Sequence, residues 1–541
     1  MAKRIYQNGH ILTLDSPLPA DYLIAEDGKI LGTGRGEPPA LSGDVQRIDL
    51  HGRALMPAFL DPHSHLSAVA HRQLQLSLSG IGTPDAVLKE ISRFLREKQL
   101  KKGEWLAASD YEPEGRRLTA RELDAVAPEN PLVLQYTSGH MGVFNGAALQ
   151  ALGVGADTPS AEGGLIEKGP DGTPTGYMEE TDFVTRLKKI PPPDGNKLMD
   201  AFDRAQELYF SNGIVLIQEG LAVAELLPLY QALLRAGKLR AEVVAYPGRE
   251  DFSAYAEAFP RTLDGQNESE RKNGPARFPR KGPRGNFRVG GVKLISDGSP
   301  QGRTAWLRKP YLDENGRPDP NGYCGYPSVT KEELEETVRF CTERNLQLLV
   351  HCNGDRAAQA FIDAQLRFGS PTTRPVMIHA QLLGTDQLDD VRRAGILPSF
   401  FVAHVYYWGD VHLSNLGRER AEKISPLRSA LNKGIPFTLH QDSPVVFPDM
   451  LETVRCAVTR KTKSGKTLGA DERIDVLSAL RAVTRNAARQ YFEEAQTGAL
   501  RPGMRENLII LSADPLQIPP EKSADIRVEE TIADGITLFR R

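Results

Sequence analysis

Two histidines, His63 and His65, stand one residue apart just beyond the apolar run Ala54-Leu55-Met56-Pro57-Ala58-Phe59-Leu60. An apolar run that closes on a polar tip reads as a buried strand ending where the backbone leaves the core. Side chains alternate along a strand, so the two imidazoles share a side and can hold one divalent ion. Lys293 lies inside another apolar run, Val292-Lys293-Leu294-Ile295. A buried ammonium is costly unless paired or modified, and burial lowers its pKa. The free amine can then take up carbon dioxide and become a carbamate, an anionic oxygen ligand. His351 and His379 each end an apolar run, and Asp442 ends Phe437-Thr438-Leu439-His440-Gln441. Imidazoles and carboxylates bind divalent ions and move protons.

These residues need elements to position them. From residue 57 onward, strand-like runs alternate with helical ones, as in β/α units around a parallel sheet. The candidate strands are Leu60–His65, Ile214–Gln218, Glu242–Tyr246, Val292–Ser296, Leu346–His351, Val376–His379, Ile396–Val402 and Pro436–Gln441. That is the strand count of a (β/α)8 barrel, whose active sites lie at the carboxyl ends of the strands. Five of the eight carry a metal-binding or titratable residue there. Helices are expected over Thr83 to Leu100, after a capping box at Thr330-Lys331-Glu332-Glu333, and as one long run from Ala470 to Phe492.

Residues 1–56 read instead as short strands: Ile11–Leu14, a hairpin turning at Asp27-Gly28, and Val45–Leu50. Glu506–Leu511 and Gly535–Phe539 answer them at the other end. The expected fold is thus α/β. A TIM-like barrel over 57–490 is flanked by a small composite β-sandwich from residues 1–56 and 491–541. A stretch at about 103–190, with strands at Trp105–Ala108 and Pro131–Tyr136, is an insertion that reads as a lid. Residues 260–290 are polar, rich in proline and glycine and locally basic, and read as a long solvated loop.

Composition narrows the classes. The 541 residues are 40% apolar and 25% charged, which is globular. A net charge of -3 creates no field favouring nucleic acid or a membrane surface. The first residues lack the apolar core of a signal peptide, and no run reaches the length of a membrane helix. The four cysteines form no Cys-x-x-Cys pair. A reduced, cytoplasmic setting is expected.

The ordered set His63-x-His65, Lys293, His351, His379 and Asp442 resembles the motif series of the amidohydrolase superfamily from about residue 50 to 515. Several stretches resemble its family 3 branch, which includes N-substituted formamide deformylases. They are Leu55 to His65, Gly139-His140-Met141-Gly142-Val143-Phe144-Asn145, Gly291 to Ser299, and Asp442-Ser443-Pro444-Val445. The resemblance implies a barrel with an appended sandwich, one or two divalent ions, zinc first among them, and hydrolysis of a C–N bond. It implies that His63 and His65 bind one ion, and that Lys293, as a carbamate, bridges to a second held by His351 and His379. Asp442 would touch the metal or its water and serve as base, then acid. His140 and Asn145 would lie near the substrate.

From the residues themselves, His404 could hydrogen-bond a substrate carbonyl, with Tyr407 among aromatics lining a pocket. Arg303 could meet a substrate carboxylate or form a structural salt bridge. His440, one layer deeper than Asp442, reads as a supporting or core residue. The sequence departs from the family pattern at Leu439-His440-Gln441, where small residues usually precede the Asp. It departs again at Arg505-Glu506-Asn507-Leu508, a change expected to touch only a turn. The expected function is a metal-dependent hydrolase of a small amide, formamide deformylase-like. The alternatives are a hydrolase of a cyclic amide, imide, carbamate or ester, and a catalytically silent binding or regulatory protein. The expected partners are a small-molecule substrate and, at most, a second copy in a homodimer, with neither nucleic acid nor membrane.

Overall fold

The computed structural model describes residues 3–16, 18–137, 139–259 and 287–541. Most of the polar 260–290 stretch therefore lies outside the described residues. The chain forms two compact units, Met1–Ser67 with Gln206–Arg541, and Ala68–Ala205.

The first unit holds parallel strands β1 (Phe59–Leu60), β2 (Ile214–Ala222), β3 (Glu242–Pro247), β4 (Phe287–Val289), β5 (Gly291–Ile295), β6 (Gln347–Cys352), β7 (Val376–His379), β8 (Leu397–Phe400) and β9 (Thr438–Leu439). They pair in chain order as two sheets, β1 to β4 and β5 to β9. Only Gly290 separates β4 from β5, and an isolated parallel bridge pairs Lys293 with Gly248 just beyond β3. At the other margin, Asp442 N–H donates to His63 O (3.3 Å) and His65 N–H to Ser443 O (2.9 Å). All eight runs expected as strands are present, and Phe287–Val289 is an additional strand whose buried Phe287 and Val289 lie at the end of the stretch read as a solvated loop. Their residues are almost wholly buried, which is why they read as continuous apolar runs.

Both chain ends enter one further eight-stranded sheet. Its order is Ile536–Arg540, Val528–Ala533, Leu508–Leu511, Ala54–Pro57, Lys3–Ile11, Ala20–Glu26 and Lys29–Gly34, with Val45–Asp49 also on Lys3–Ile11. The turn at Asp27-Gly28 has φ of 50° and 74°, the left-handed conformation a tight hairpin requires. Ala54–Pro57 runs through Ala58 into β1, so this sheet delivers the strand that carries His63 and His65. The departure at Arg505 is more than a turn. Its guanidinium pairs with Glu242 at 2.6 Å, on the first residue of β3, and with Asp534 at 2.5 Å. Glu506 accepts from Tyr6 at 2.8 Å and pairs with Arg4.

The second unit carries a six-stranded sheet ordered Gly164–Lys168, Pro174–Glu179, Met141–Phe144, Leu132–Tyr136, Leu106–Tyr111 and Leu76–Ser77. The helix Pro84–Lys98 packs Val87, Ile91 and Phe94 into its core. The Thr330–Glu333 capping box is present. The long run from Ala470 is instead broken into Val476–Ala482 and Arg485–Gln490, the first capped by Asp475 and the second entered through Thr484 at a non-helical φ/ψ of -131° and -86°. Among the described residues, no helix is long and apolar enough to cross a membrane.

Candidate metal centre

The ends of β1, β6, β7 and β9 bring His63, His65, His351, His379 and Asp442 together. His63 Nε2 and His65 Nε2 each lie 3.3 Å from Asp442 Oδ1, and His379 Nε2 lies 3.9 Å from Asp442 Oδ2. His351 Nδ1 is 3.1 Å from His379 Nε2. Lys293 is buried, its Nζ has no hydrogen-bond partner among the described residues, and burial pulls its pKa down to about 8. Its charge is felt at His63, His351, His379, His440 and Asp442. His379 and Asp442 hold left-handed backbone conformations (φ 71° and 55°), uncommon for residues with a Cβ and concentrated at functional sites.

The hydrogen-bond network assigns the imidazole protons. Gln218 on β2 donates its amide N–H to Pro62 O (2.7 Å) and to Tyr491 Oη (3.1 Å). Its Oε1 therefore accepts from His63 Nδ1 at 2.6 Å. His63 Nε2 is then a bare lone pair turned toward the carboxylate. His351 Nε2 lies 3.2 Å from Gly298 O and 3.1 Å from Asn353 Nδ2; where it donates to the carbonyl, its Nδ1 is left bare. A relay from His379 Nδ1 through His440 (3.1 Å) to Ser399 Oγ (2.8 Å) can leave His379 Nε2 bare as well. Orienting the far nitrogen through a second partner is how proteins present histidine to metal.

Burial lowers the pKa of His63 and His379 well below the usual imidazole value, of His351 to about 4 and of His440 to about 3. These rings are neutral near pH 7. Burial pushes the Asp442 carboxyl up, but the His65 contact and neighbouring positive groups outweigh it, and its pKa is lowered. Asp442 is thus an anion, yet Oδ1 is buried without a hydrogen-bond partner. An unpaired buried carboxylate oxygen facing a bare imidazole nitrogen is unfavourable without a cation between them. The ligand atoms of His63, His65 and Asp442 lie within 4.8 Å of one another, and the donor set fits a divalent metal.

Supporting groups hold the strand ends in place. Asp297, past β5, accepts the backbone N–H groups of Trp306 (2.9 Å), Asn353 (2.9 Å) and Gly354 (2.8 Å), tying its loop to the end of β6. Burial nevertheless raises its pKa to about 7. Gly220 packs on His63, where an added Cβ would stand 2.5 Å from the ring Cε1. Sequence reasoning passed over Gln218, Ser399, Asp297 and Tyr491. Gln218 had a visible signal, a polar residue that ends the apolar run Ile214-Val215-Leu216-Ile217.

The remaining predicted residues are placed as follows. His404 opens the helix His404–Leu416 after β8, buried, with its ring 4.6 Å from Phe401 and 4.5 Å from Trp408 between centroids. Tyr407 lies on the same helix, edge-on to Tyr406, with Lys463 Nζ 5.2 Å from its ring. Arg303 lies 3.6 Å from Asp319 and 5.5 Å from the Tyr311 ring. In the second unit, His140 is exposed and 3.3 Å from Glu180. Asn145 is fully buried, with its amide committed to the backbone. Its Oδ1 accepts from Leu132 and Ala148 (both 2.9 Å), capping the helix Gly146–Ala151, while Nδ2 donates to Ala127 O (2.9 Å) and Asn130 O (3.0 Å).

Comparison with known proteins places this geometry. A model described as the amidohydrolase family matches residues 46–539. YtcJ of Bacillus subtilis (strain 168) is 28% identical over 559 residues, with 100% of each chain covered. The N-substituted formamide deformylase of Arthrobacter pascens is 26% identical over 555 residues, covering 99% of this chain and 98% of that one. The crystal structure of an uncharacterized metal-dependent hydrolase from Pyrococcus horikoshii OT3 matches with a TM-score of 0.76 at 25% identity, over 96% of this chain and 99% of that one.

Proposed function

The chain belongs to the amidohydrolase family and is a hydrolase acting on C–N bonds, and we propose that it cleaves the C–N bond of a small N-substituted amide whose acyl part is formyl or similarly small. We read β1 to β9 as one (β/α)8 barrel over residues 57–490, closed through the His63–Asp442 and His65–Ser443 backbone bonds. The sheet built from both termini is read as its companion sandwich, residues 1–56 and 491–541. The site residues then share one rim, at the carboxyl ends of the strands.

In this reading His63 Nε2, His65 Nε2 and Asp442 Oδ1 would hold a divalent ion, and His351 Nδ1 and His379 Nε2 would be available to a second. Lys293, once its free amine had added to carbon dioxide with loss of a proton to solvent, would offer a carbamate oxygen as a further ligand. Zinc suits this mixture of imidazole nitrogen and carboxylate oxygen. A divalent ion held there makes a water acidic enough to attack near neutral pH and polarises a carbonyl.

The protein's own groups do the rest. Asp442 Oδ2 takes one proton from the attacking water as the C–O bond forms. It passes that proton to the amide nitrogen as the C–N bond breaks, releasing a carboxylic acid, which keeps the second proton of the water, and an amine. His404 supports the carbonyl oxygen through Nε2, the ring nitrogen turned away from its helix partner. Tyr407 and Arg303 are assigned to substrate contact. Asn145, whose amide is committed to the backbone, would act there only by shaping its segment. The substrate is a small molecule met in the cytoplasm, by a monomer or a homodimer.

The observation that supports this reading above the others is the bare His63 Nε2 facing the unpartnered Asp442 Oδ1. The 26% identity to a formamide deformylase favours the formyl amide. A panel of N-substituted formamides, acyl amino acids, cyclic imides and esters tests it. Cleavage of a formamide is expected, and hydrolysis of esters alone would overturn the amide assignment.

A further inference from the structure

The helix His404–Leu416 carries a histidine pair outside the metal-facing set. His404 Nδ1 and His412 Nε2 are 3.1 Å apart, and the rings are nearly coplanar, at 9°, as an in-plane N–H···N bond requires. Both side chains are buried. Burial holds the pKa of His412 at about 4 and that of His404 well below the usual value, so each ring carries a single proton near neutral pH.

One ring must therefore donate and the other accept. If His404 donated, the proton of His412 would sit on its Nδ1, a buried atom with no partner. Buried N–H groups without an acceptor are rarer in folded proteins than unfilled acceptors. If His412 donates, only a lone pair goes unfilled inside, and His404 carries its proton on Nε2. That nitrogen has no hydrogen-bond partner among the described residues and is not among the fully buried unpartnered atoms, so it keeps some access to solvent. The His404 ring packs on Phe401, whose ring centroid is 5.3 Å from that of His440 and 5.9 Å from that of His379. The ring thus lies at the same end of the sheet as the metal-facing cluster.

We infer that His412 is a positioning residue: it fixes the proton of His404 on Nε2 and so makes His404 a hydrogen-bond donor toward the carbonyl oxygen of the substrate. The rate effect rests on the reading above that His404 faces the substrate, whereas the proton assignment does not. Nothing in the sequence signals the pair, because the spacing of eight residues becomes a contact only through the ring orientations.

The test separates the two parts. Long-range 1H–15N correlation spectra of the full chain labelled at histidine report which nitrogen carries the proton, with the His404 peaks identified by their loss in His404→Gln. Protonation at Nε2 of His404 is expected, and protonation at Nδ1 would overturn the inference without touching the metal site. Kinetics on an N-substituted formamide follow. His412→Leu should lower kcat by about 10- to 10²-fold at near-constant KM, short of losing an oxyanion donor outright. His412→Gln, whose amide N–H can reach the same Nδ1, should recover most of it. Equal losses in the two variants would overturn the positioning role. Full turnover in His404→Gln would remove His404 from the reaction and, with it, any effect of His412 on rate.

Discussion

Asp442 has two oxygens in two settings. Oδ1 looks at His63 and His65 across 3.3 Å, while Oδ2 is turned toward His379 at 3.9 Å. Replacing it with Asn keeps the shape and removes the proton acceptor. Asp442→Asn should retain metal and lose turnover by more than about 10²-fold, read as kcat against metal content. Gln218 fixes the His63 proton from behind. Gln218→Leu frees that ring to protonate at Nε2 and should weaken metal binding by about 10- to 10²-fold in competition with a chelator. His63, His65, Lys293, His351, His379 and Asp442 could be singled out in the sequence because each interrupts or ends an apolar run. Gln218 apart, their partners could not, since which polar group meets which ring nitrogen is decided by contacts between residues 41 to 155 positions apart. His440 was legible as a deeper residue but not as the group that orients His379. Asn145 belonged to a family-like stretch, yet its amide is a helix cap and backbone clamp, which a motif alone does not reveal.

At the scale of elements, close approach and buried charge carry the risk. Gly220 near the end of β2 leaves room for the His63 ring. Gly220→Ala should displace that ring and lower metal content, while far-ultraviolet circular dichroism stays unchanged. Arg505 bonds to Glu242 and Asp534, with its own side chain 9% exposed. Arg505→Met removes the charged hydrogen bonds to Glu242 and Asp534, and should cost about 1–3 kcal/mol, seen as a fall in the urea midpoint. The parallel strands were legible because burial on both faces leaves uninterrupted apolar runs. In the Ala68–Ala205 unit, Gly164–Lys168 and Pro174–Glu179 were missed, since short strands with glycine and proline resemble loops. The run from Ala470 was read as one helix because its apolar period continues across Thr484, where the backbone breaks.

At the scale of the molecule, one long-range arrangement matters most. The strands ending at residues 60, 352, 379 and 439 carry His63, His65, His351, His379 and Asp442 at or just beyond their ends to one cluster, and the sheet formed by both chain ends leads directly into the first of them. The chain order of the strands could be read because each parallel strand pairs with the next in sequence. How the two termini share a sheet could be inferred only from their short β segments, which are not stable alone. The most direct measurement is the divalent metal content of the chain purified without chelator, compared with His63→Ala/His351→Ala and paired with formamide hydrolysis. The account predicts one to two equivalents of tightly bound metal in the unaltered chain, lost together with activity in the double variant. A metal-free chain that still hydrolyses the amide would contradict it.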